Sequence, residues 1–301
     1  MTTESYTLPG VPSVDQVGVE ERADRFRQRS IKKKSKVDGL KHIISMLDLT
    51  TLAGKDTPGK VRRLCGKALN PLPDDVDCPS TAAVCVYPRM VSTAVDETTG
   101  SDVNVASVAS YFPSGQVSLE QKLDDVGQAV QAGADEVDIV INRGAFLKGD
   151  YLEVYREIEQ AREAAGDTHL KVILETGELE TYDNIRLASR IAIDGGADFI
   201  KTSTGTTEPA ATMSVTLVML HAIRDHYFRS GEKVGMKPAG GIRRAKEALR
   251  YLAMVNETLG SDWLSPGKFR FGASSLLNDL LMQLKKEDVG RYYSGRYLSL
   301  G

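Results

Sequence analysis

Eight short apolar runs punctuate the chain after residue 40: HIISMLDL (42–49), TAAVCVYP (81–88), VNVASVASYF (103–112), DEVDIVIN (135–142), HLKVILE (169–175), ADFIKTS (197–203), KVGMKPAG (233–240) and FRFGAS (269–274). Their starts fall mostly about thirty residues apart, and the intervals carry helical spacing. In SLEQKLDDVGQAVQAG (118–133), Ser118 and Gln121 form a capping box, Leu119, Leu123, Val126 and Val130 share one face, and Gly133 supplies a stop. Tyr151, Val154, Tyr155 and Ile158 repeat that spacing after the fourth run. Strands buried on both faces and separated by helices form parallel sheets. Eight such units predict an α/β fold, a closed (β/α)8 TIM barrel. An open doubly wound sheet would alternate in the same way, but no GxGxxG follows the first run. The near-identical words GADEVDIV and GADFIKTS lead into two of the strands, which suits a barrel of similar units.

The barrel accounts for residues 41–285, between a polar N-terminal helical extension (1–40) and a tail (286–301). The extension ends in the basic run RQRSIKKKSK (27–36), for which a solvated lead-in helix is a simpler reading than a nucleic-acid or targeting role. Composition agrees: the 301 residues are 41% hydrophobic and 26% charged, with a formal net charge of −3 that points to neither nucleic acid nor anionic lipid. No apolar run reaches membrane-spanning length, and the first residues lack a secretory pattern, so a cytoplasmic protein without membrane partners is expected. Cys65, Cys78 and Cys85 form no CxxC pair, and His42, His169, His221 and His226 form no HExxH. A mechanism without metal or cofactor is expected.

The strand carrying ADFIKTS poses a chemical problem, because Lys201 sits among residues that should be buried. Lysine is almost never buried unpaired, and a low-dielectric site favours its neutral form. Barrel enzymes place reactive groups at the carboxyl ends of strands, where Asp48, Asp138, Lys201 and Lys237 fall. An ordinary lysine has a pKa of about 10.4, so little of it is free amine near neutrality. Desolvation and a neighbouring cation would both free the amine of one lysine, which could then condense with an aldehyde while Asp138 moves protons. The residue pattern leaves open which lysine attacks, and a Lys–Asp ion pair that sets strand register is the plain alternative. Three loops of small residues share the same rim: TSTG (202–205), PAGGIRRA with Gly240 and Gly241, and GASSLL with Gly272, Ser274 and Ser275. Two of them open helices, as a phosphate grip would require.

DEVDIV, ADFIKTSTG, GMKPAGGIR and FGASSLL, in that order, together with LDLTTL (47–52) and AVCVYPR (83–89), resemble the deoxyribose-phosphate aldolases, class I aldolases, over residues from about 40 to 285. The resemblance implies metal-independent, reversible cleavage of 2-deoxy-D-ribose 5-phosphate to glyceraldehyde 3-phosphate and acetaldehyde, in deoxyribonucleotide catabolism. It assigns the Schiff base to Lys201, a proton-relay and pKa-lowering role to Lys237, proton transfer to Asp138 and a supporting place to Asp48. Cys85 would lie near the substrate or be an inert buried thiol. Thr202 and Gly205 would join the glycine and serine loops in binding, and a homodimer follows by analogy. Two departures stand out. Many relatives follow TSTG with a phosphate-holding lysine where this chain has Thr206, which shifts the load to backbone amides, Ser274, Ser275 and Arg243. Some relatives end in a tyrosine that enters the site, whereas this tail has Tyr292, Tyr293 and Tyr297 before Leu300 and Gly301. A keto-acid aldolase on the same barrel would differ in the aldehyde or ketone it traps. A sugar-phosphate-binding protein would form no imine.

Overall fold

The structure, a computed structural model, describes residues 10–32 and 34–290, so the tail tyrosines lie outside the described residues. After helices α1 (Gln16–Gln28) and α2 (Lys34–Ser45) the chain reads β1 (Leu47–Thr50), α3 (Pro58–Leu69), β2 (Ala83–Val86), α4 (Val91–Thr98), β3 (Asn104–Val108), α5 (Leu119–Gln131) and β4 (Glu136–Val140). It continues through α6 (Arg143–Leu147), α7 (Tyr151–Ala165), β5 (His169–Ile173), α8 (Tyr182–Asp194), β6 (Phe199–Lys201), α9 (Met213–Ser230), β7 (Gly235–Lys237), α10 (Ala245–Leu259), β8 (Phe271–Ala273) and α11 (Leu276–Val289). The strands are parallel in the order β7-β6-β5-β4-β3-β2-β1-β8. Closure comes from bridges between Met236 and Phe269 and between Ala239 and Gly272. The amide of Arg270 donates to the carbonyl of Met236, and that of Gly272 to the carbonyl of Pro238, both at 3.0 Å. The eight-unit TIM barrel read from the runs is therefore what forms.

Local chemistry explains the elements. Ser118 and Gln121 close the expected capping box on α5. The deepest stripe of that helix is Lys122, Val126 and Ala129 rather than the Leu119 line, because Lys122 pairs with Glu157 of α7 at 2.7 Å. HIIS (42–45) proves to be the end of α2, with Leu40, Ile43 and Ile44 buried at helical spacing, Met46 turns the chain, and the first strand starts only at Leu47. The basic run is not one solvated helix: α1 stops at Gln28 and α2 starts at Lys34. Val19, Ala23 and Phe26 bury one face of α1, which packs against α9 and α10. Among the described residues no helix is long and apolar enough to cross a membrane.

Two apolar regions result. The outward strand residues, such as Val137, Ile139, Leu170, Val172, Ile200 and Met236, join the helices in the main core, while Ala83, Cys85, Ala106 and Val108 form a small separate cluster. Space inside the barrel is tight where β6 meets β7. Phe199 is opposite Gly235 in register, and a Cβ on Gly235 would lie 2.5 Å from the buried Phe199 ring. A Gly235→Ala variant should lose about 1–3 kcal/mol of stability by overpacking, read as a lower urea midpoint with an unchanged slope; an unchanged midpoint would show that the ring can give way.

Candidate active site

Strand register brings the charged residues together. Lys201 pairs with Lys237 across β6 and β7, and Asp138 with Lys171 across β4 and β5. Asp48 from β1, Glu136 from β4 and Arg270 from just before β8 complete a group of seven ionisable side chains, none more than 3% exposed. Asp48 and Asp138 sit inside their strands and reach the lysines from there, whereas Lys201 and Lys237 are the last residues of theirs.

The contacts form a closed chain. Arg270 donates through Nη1 to Oδ1 of Asp48 at 2.6 Å and through Nη2 to Oε1 of Glu136 at 2.8 Å. Asn104 donates to the same Glu136 oxygen at 2.8 Å. Lys171 bridges Glu136 and Oδ1 of Asp138, the latter at 3.0 Å. Oδ2 of Asp138 accepts from Lys201 and from Lys237, each at 2.8 Å. Lys237 also lies 2.5 Å from Oδ2 of Asp48. Gly272 makes room for this lysine, since a Cβ there would stand 3.1 Å from its Cε.

Four cations thus share three carboxylates, and the three lysines are treated unequally. Burial alone would lower the pKa of Lys237, but Asp138 and Asp48 outweigh it and hold the ammonium above the ordinary lysine range. Lys171 is likewise raised, by Asp138 and Glu136 against burial. Lys201 has Asp138 alone, so burial, aided by the charge of Lys237, leaves its pKa below the ordinary value. Burial would raise Asp138, yet Lys171, Lys201 and Lys237 together hold it well below the carboxylate range. The residue pattern could not rank the two rim lysines; in the structure they differ, with Lys201 the one shifted toward the free amine and Lys237 the one held as an ammonium.

A cavity of about 300 Å³ opens onto Lys201, which lines it; Lys171 and Lys237 do not. Its wall holds Gly205 and Thr206 after β6, Gly240, Gly241 and Arg243 after β7, Gly272 within β8, and Ser274 and Ser275 after it. Gly240 and Gly241 are both left-handed, with φ of 80° and 83°, a pair of conformations that side chains resist. Ser275 is the N-cap of α11 and makes no side-chain capping bond, so it and that helix terminus face the cavity uncapped. Two larger clefts, of about 590 and 460 Å³, lie among surface charges and hold none of the seven residues.

Two expected binding residues stand elsewhere. Thr202 is fully buried, and its hydroxyl is taken up by the backbone of Ala239, donating to the carbonyl at 3.1 Å and accepting from the amide at 2.9 Å. It pins the β6 loop to the β7 loop instead of facing the cavity. Cys85 is fully buried, feels the charges of Lys237, Asp138, Lys201 and Asp48, and does not line the cavity; burial pushes its thiol up. The inert-thiol alternative fits this placement.

The sequence reading passed over Lys171, Glu136 and Arg270, although HLKVILE and FRFGAS show the same anomaly as ADFIKTS, a charge flanked by apolar residues. It also passed over Phe112, whose ring centroid lies 5.9 Å from Nζ of Lys201 and whose side chain lines the cavity. Ser110 and Tyr111 before it are left-handed, with φ of 63° and 54°, a strained pair of the kind that collects at functional sites. Arg143 steadies the loop by donating to the carbonyl of Ser114 at 2.8 Å. The same guanidinium meets the buried Glu175 at 3.6 Å, and Glu175 accepts from the amide and hydroxyl of Thr204. The hydroxyl of Thr206 is 2.7 Å from that of Thr204.

The pattern of the DeoC/LacD family aldolases matches residues 42–281. The deoxyribose-phosphate aldolase of Homo sapiens is 46% identical over 290 residues, covering 93% of this chain and 91% of that protein. The Bos taurus deoxyribose-phosphate aldolase is 45% identical over the same length and shares. The solved tetrameric deoxyribose phosphate aldolase of Aeropyrum pernix shares the fold, with a TM-score of 0.63, 22% identity, and coverage of 93% of this chain and 100% of that one. With its lysine-lined barrel and this match across nearly its whole length, the chain belongs to the DeoC/LacD aldolase family.

Proposed function

We propose that this protein is a class I aldolase that reversibly cleaves 2-deoxy-D-ribose 5-phosphate to glyceraldehyde 3-phosphate and acetaldehyde, with Lys201 as the Schiff-base residue. The observation that carries the reading is the unequal environment of the buried lysines: Lys201 alone of the three lines the cavity, and it alone has a depressed pKa. Family membership and the named relatives support the reaction class.

The steps follow from the geometry. The neutral amine of Lys201 adds to the aldehyde carbon of the open-chain sugar to give a carbinolamine, and a proton delivered to its hydroxyl lets water leave, which gives the protonated imine. Removal of the proton from the C3 hydroxyl lets the C2–C3 bond break. Its electron pair flows into the imine to give an enamine, and glyceraldehyde 3-phosphate departs. Protonation at C2 restores the imine, and water releases acetaldehyde and the amine. Asp138, 2.8 Å from both Lys201 and Lys237, is the group placed to take up and return protons, directly or through a water. Lys237 supplies the neighbouring positive charge that disfavours an ammonium at Lys201. At the other end of the cavity the amides after Gly240 and Gly241, the uncapped start of α11 with Ser274 and Ser275, and the Arg243 side chain form the phosphate grip.

Borohydride reduction with acetaldehyde should attach an ethyl group to Lys201 on peptide mapping, and Lys201→Met should abolish labelling and lower kcat/KM by at least about a thousandfold. Labelling with pyruvate in preference to acetaldehyde would replace the proposed donor with a keto acid, and no labelled lysine would remove the imine mechanism. Because the ammonium is the unreactive form, the labelling rate should climb with pH and level off below the ordinary lysine pKa of about 10.4; a plateau reached only above it would contradict the depressed Lys201. The Thr206→Lys variant should increase the preference for phosphorylated over unphosphorylated deoxyribose by about tenfold, the effect of one charge-assisted contact. No gain in that ratio would show that the grip does not reach position 206.

A further inference from the structure

Arg270 and Glu136 touch neither the cavity nor Lys201, yet both are buried charges in the barrel interior. A buried ion pair that served stability alone could be replaced by apolar side chains at little cost, so its presence beside a reactive amine calls for another account. We propose that Arg270 and Glu136 are positioning residues that set the charge state of Lys201 by controlling how much of the Asp138 carboxylate is left for it. This rests on the aldolase reading above.

The charged or titratable groups facing Lys201 in the interior are Asp48 from β1, Cys85 from β2, Glu136 and Asp138 from β4, Lys171 from β5, Lys237 from β7 and Arg270 before β8. β3 contributes Ala106 and Val108, which carry no charge. With Arg270 present, one oxygen of Asp48 and one of Glu136 are engaged by the guanidinium. The other Asp48 oxygen is left to Lys237 and the other Glu136 oxygen to Lys171, and both lysines also reach Asp138, at 2.8 and 3.0 Å, where they compete with Lys201. Four cations among three carboxylates leave one ammonium without a full countercharge, and Lys201 is the one with a single carboxylate partner.

The two residues carry opposite charge, so their removal has opposite consequences. Arg270→Gln leaves Asp48 wholly to Lys237 and Glu136 wholly to Lys171, both already in contact, which loosens their hold on Asp138, returns it to Lys201 and keeps the Lys201 ammonium protonated. Glu136→Gln throws Lys171 wholly onto Asp138 and leaves Lys201 less well paired. A purely structural role would weaken the fold in both variants but would not move the amine titration in two directions.

The test is competitive labelling of the folded full-length protein with acetic anhydride across pH, with the acetylation of Lys201 read by peptide mass mapping. This reports the charge on Lys201 whether or not the protein cleaves any sugar, so it is independent of the aldolase assay. Relative to the unmodified protein, the Lys201 titration should move up by about one pH unit in Arg270→Gln and down by about one in Glu136→Gln, with the double variant between them. The acid limb of kcat/KM for deoxyribose 5-phosphate should follow the same signs. Titrations that do not move, or that move the same way in both variants, would overturn the proposal. If Arg270→Gln does not fold, the direction seen in Glu136→Gln decides it, and Arg270→Lys, which keeps the charge, should titrate as the unmodified protein does.

Discussion

One carboxylate, Asp138, holds three lysine amino groups, two of them sealed inside the barrel and the third, that of Lys201, at the wall of the cavity. Lys171, Lys201 and Lys237 all lie within 3.0 Å of its oxygens, and none of the four residues is more than 3% exposed. Charges so placed would be prohibitively unstable singly, and they persist only because the barrel delivers their partners from different strands. Closure of the sheet is therefore a condition of the chemistry: β1–β8 pairing sets Arg270 beside Asp48, but without the ladder from residues 236–240 to 268–272 Arg270 would not reach Glu136 and Lys237 would not reach Asp48.

The interior is arranged around that need. A barrel of this kind is ordinarily filled by layers of branched apolar side chains. Here β2 and β3 contribute Ala83, Cys85, Asn104, Ala106 and Val108, none of them charged, while the other strands contribute charge. Small residues occur where long ones need passage, as Gly272 does for Lys237 and Gly235 for the ring of Phe199. The apolar stabilisation comes instead from the outer face of the sheet, where strand residues such as Val172 and Ile200 pack against helices. Stability and reactivity are thus assigned to opposite faces of the same strands, which period-two alternation allows.

The cavity joins two kinds of recognition. At the amine, burial and a crowded carboxylate favour an uncharged nucleophile. At the end proposed to hold phosphate, backbone amides and a helix terminus offer fixed dipoles that need no titratable partner. Phe112 stands beside the amine on a strained turn that Arg143 ties to the loops after β4 and β5. The Thr202 hydroxyl, bonded to both backbone groups of Ala239, keeps the β6 and β7 loops together. The distance between the reactive amine and the grip is in this way held by contacts between loops far apart in sequence.

The chain's own pattern of residues carried the eight strands, the capping box at Ser118, the two rim lysines, Asp48, Asp138 and the small-residue loops, because burial on both faces, helix capping and anion binding all leave local marks in composition and spacing. Where two signals overlapped it misled: HIIS is apolar enough for a strand, yet its spacing belongs to α2, which packs on α10 and α11. What only the tertiary structure decided was the relation between charges. Lys171 and Arg270 each look like an isolated charge in an apolar word and Glu136 like the second of two acids at a strand start, and their charged partners lie 33 to 222 residues away. The choice of Lys201 over Lys237, and the diversion of Thr202 and Cys85 from the cavity, depend on which carboxylate stands within about 3 Å of which ammonium, since Coulomb energy and desolvation are set by distance and burial, and neither quantity is written in the order of the residues.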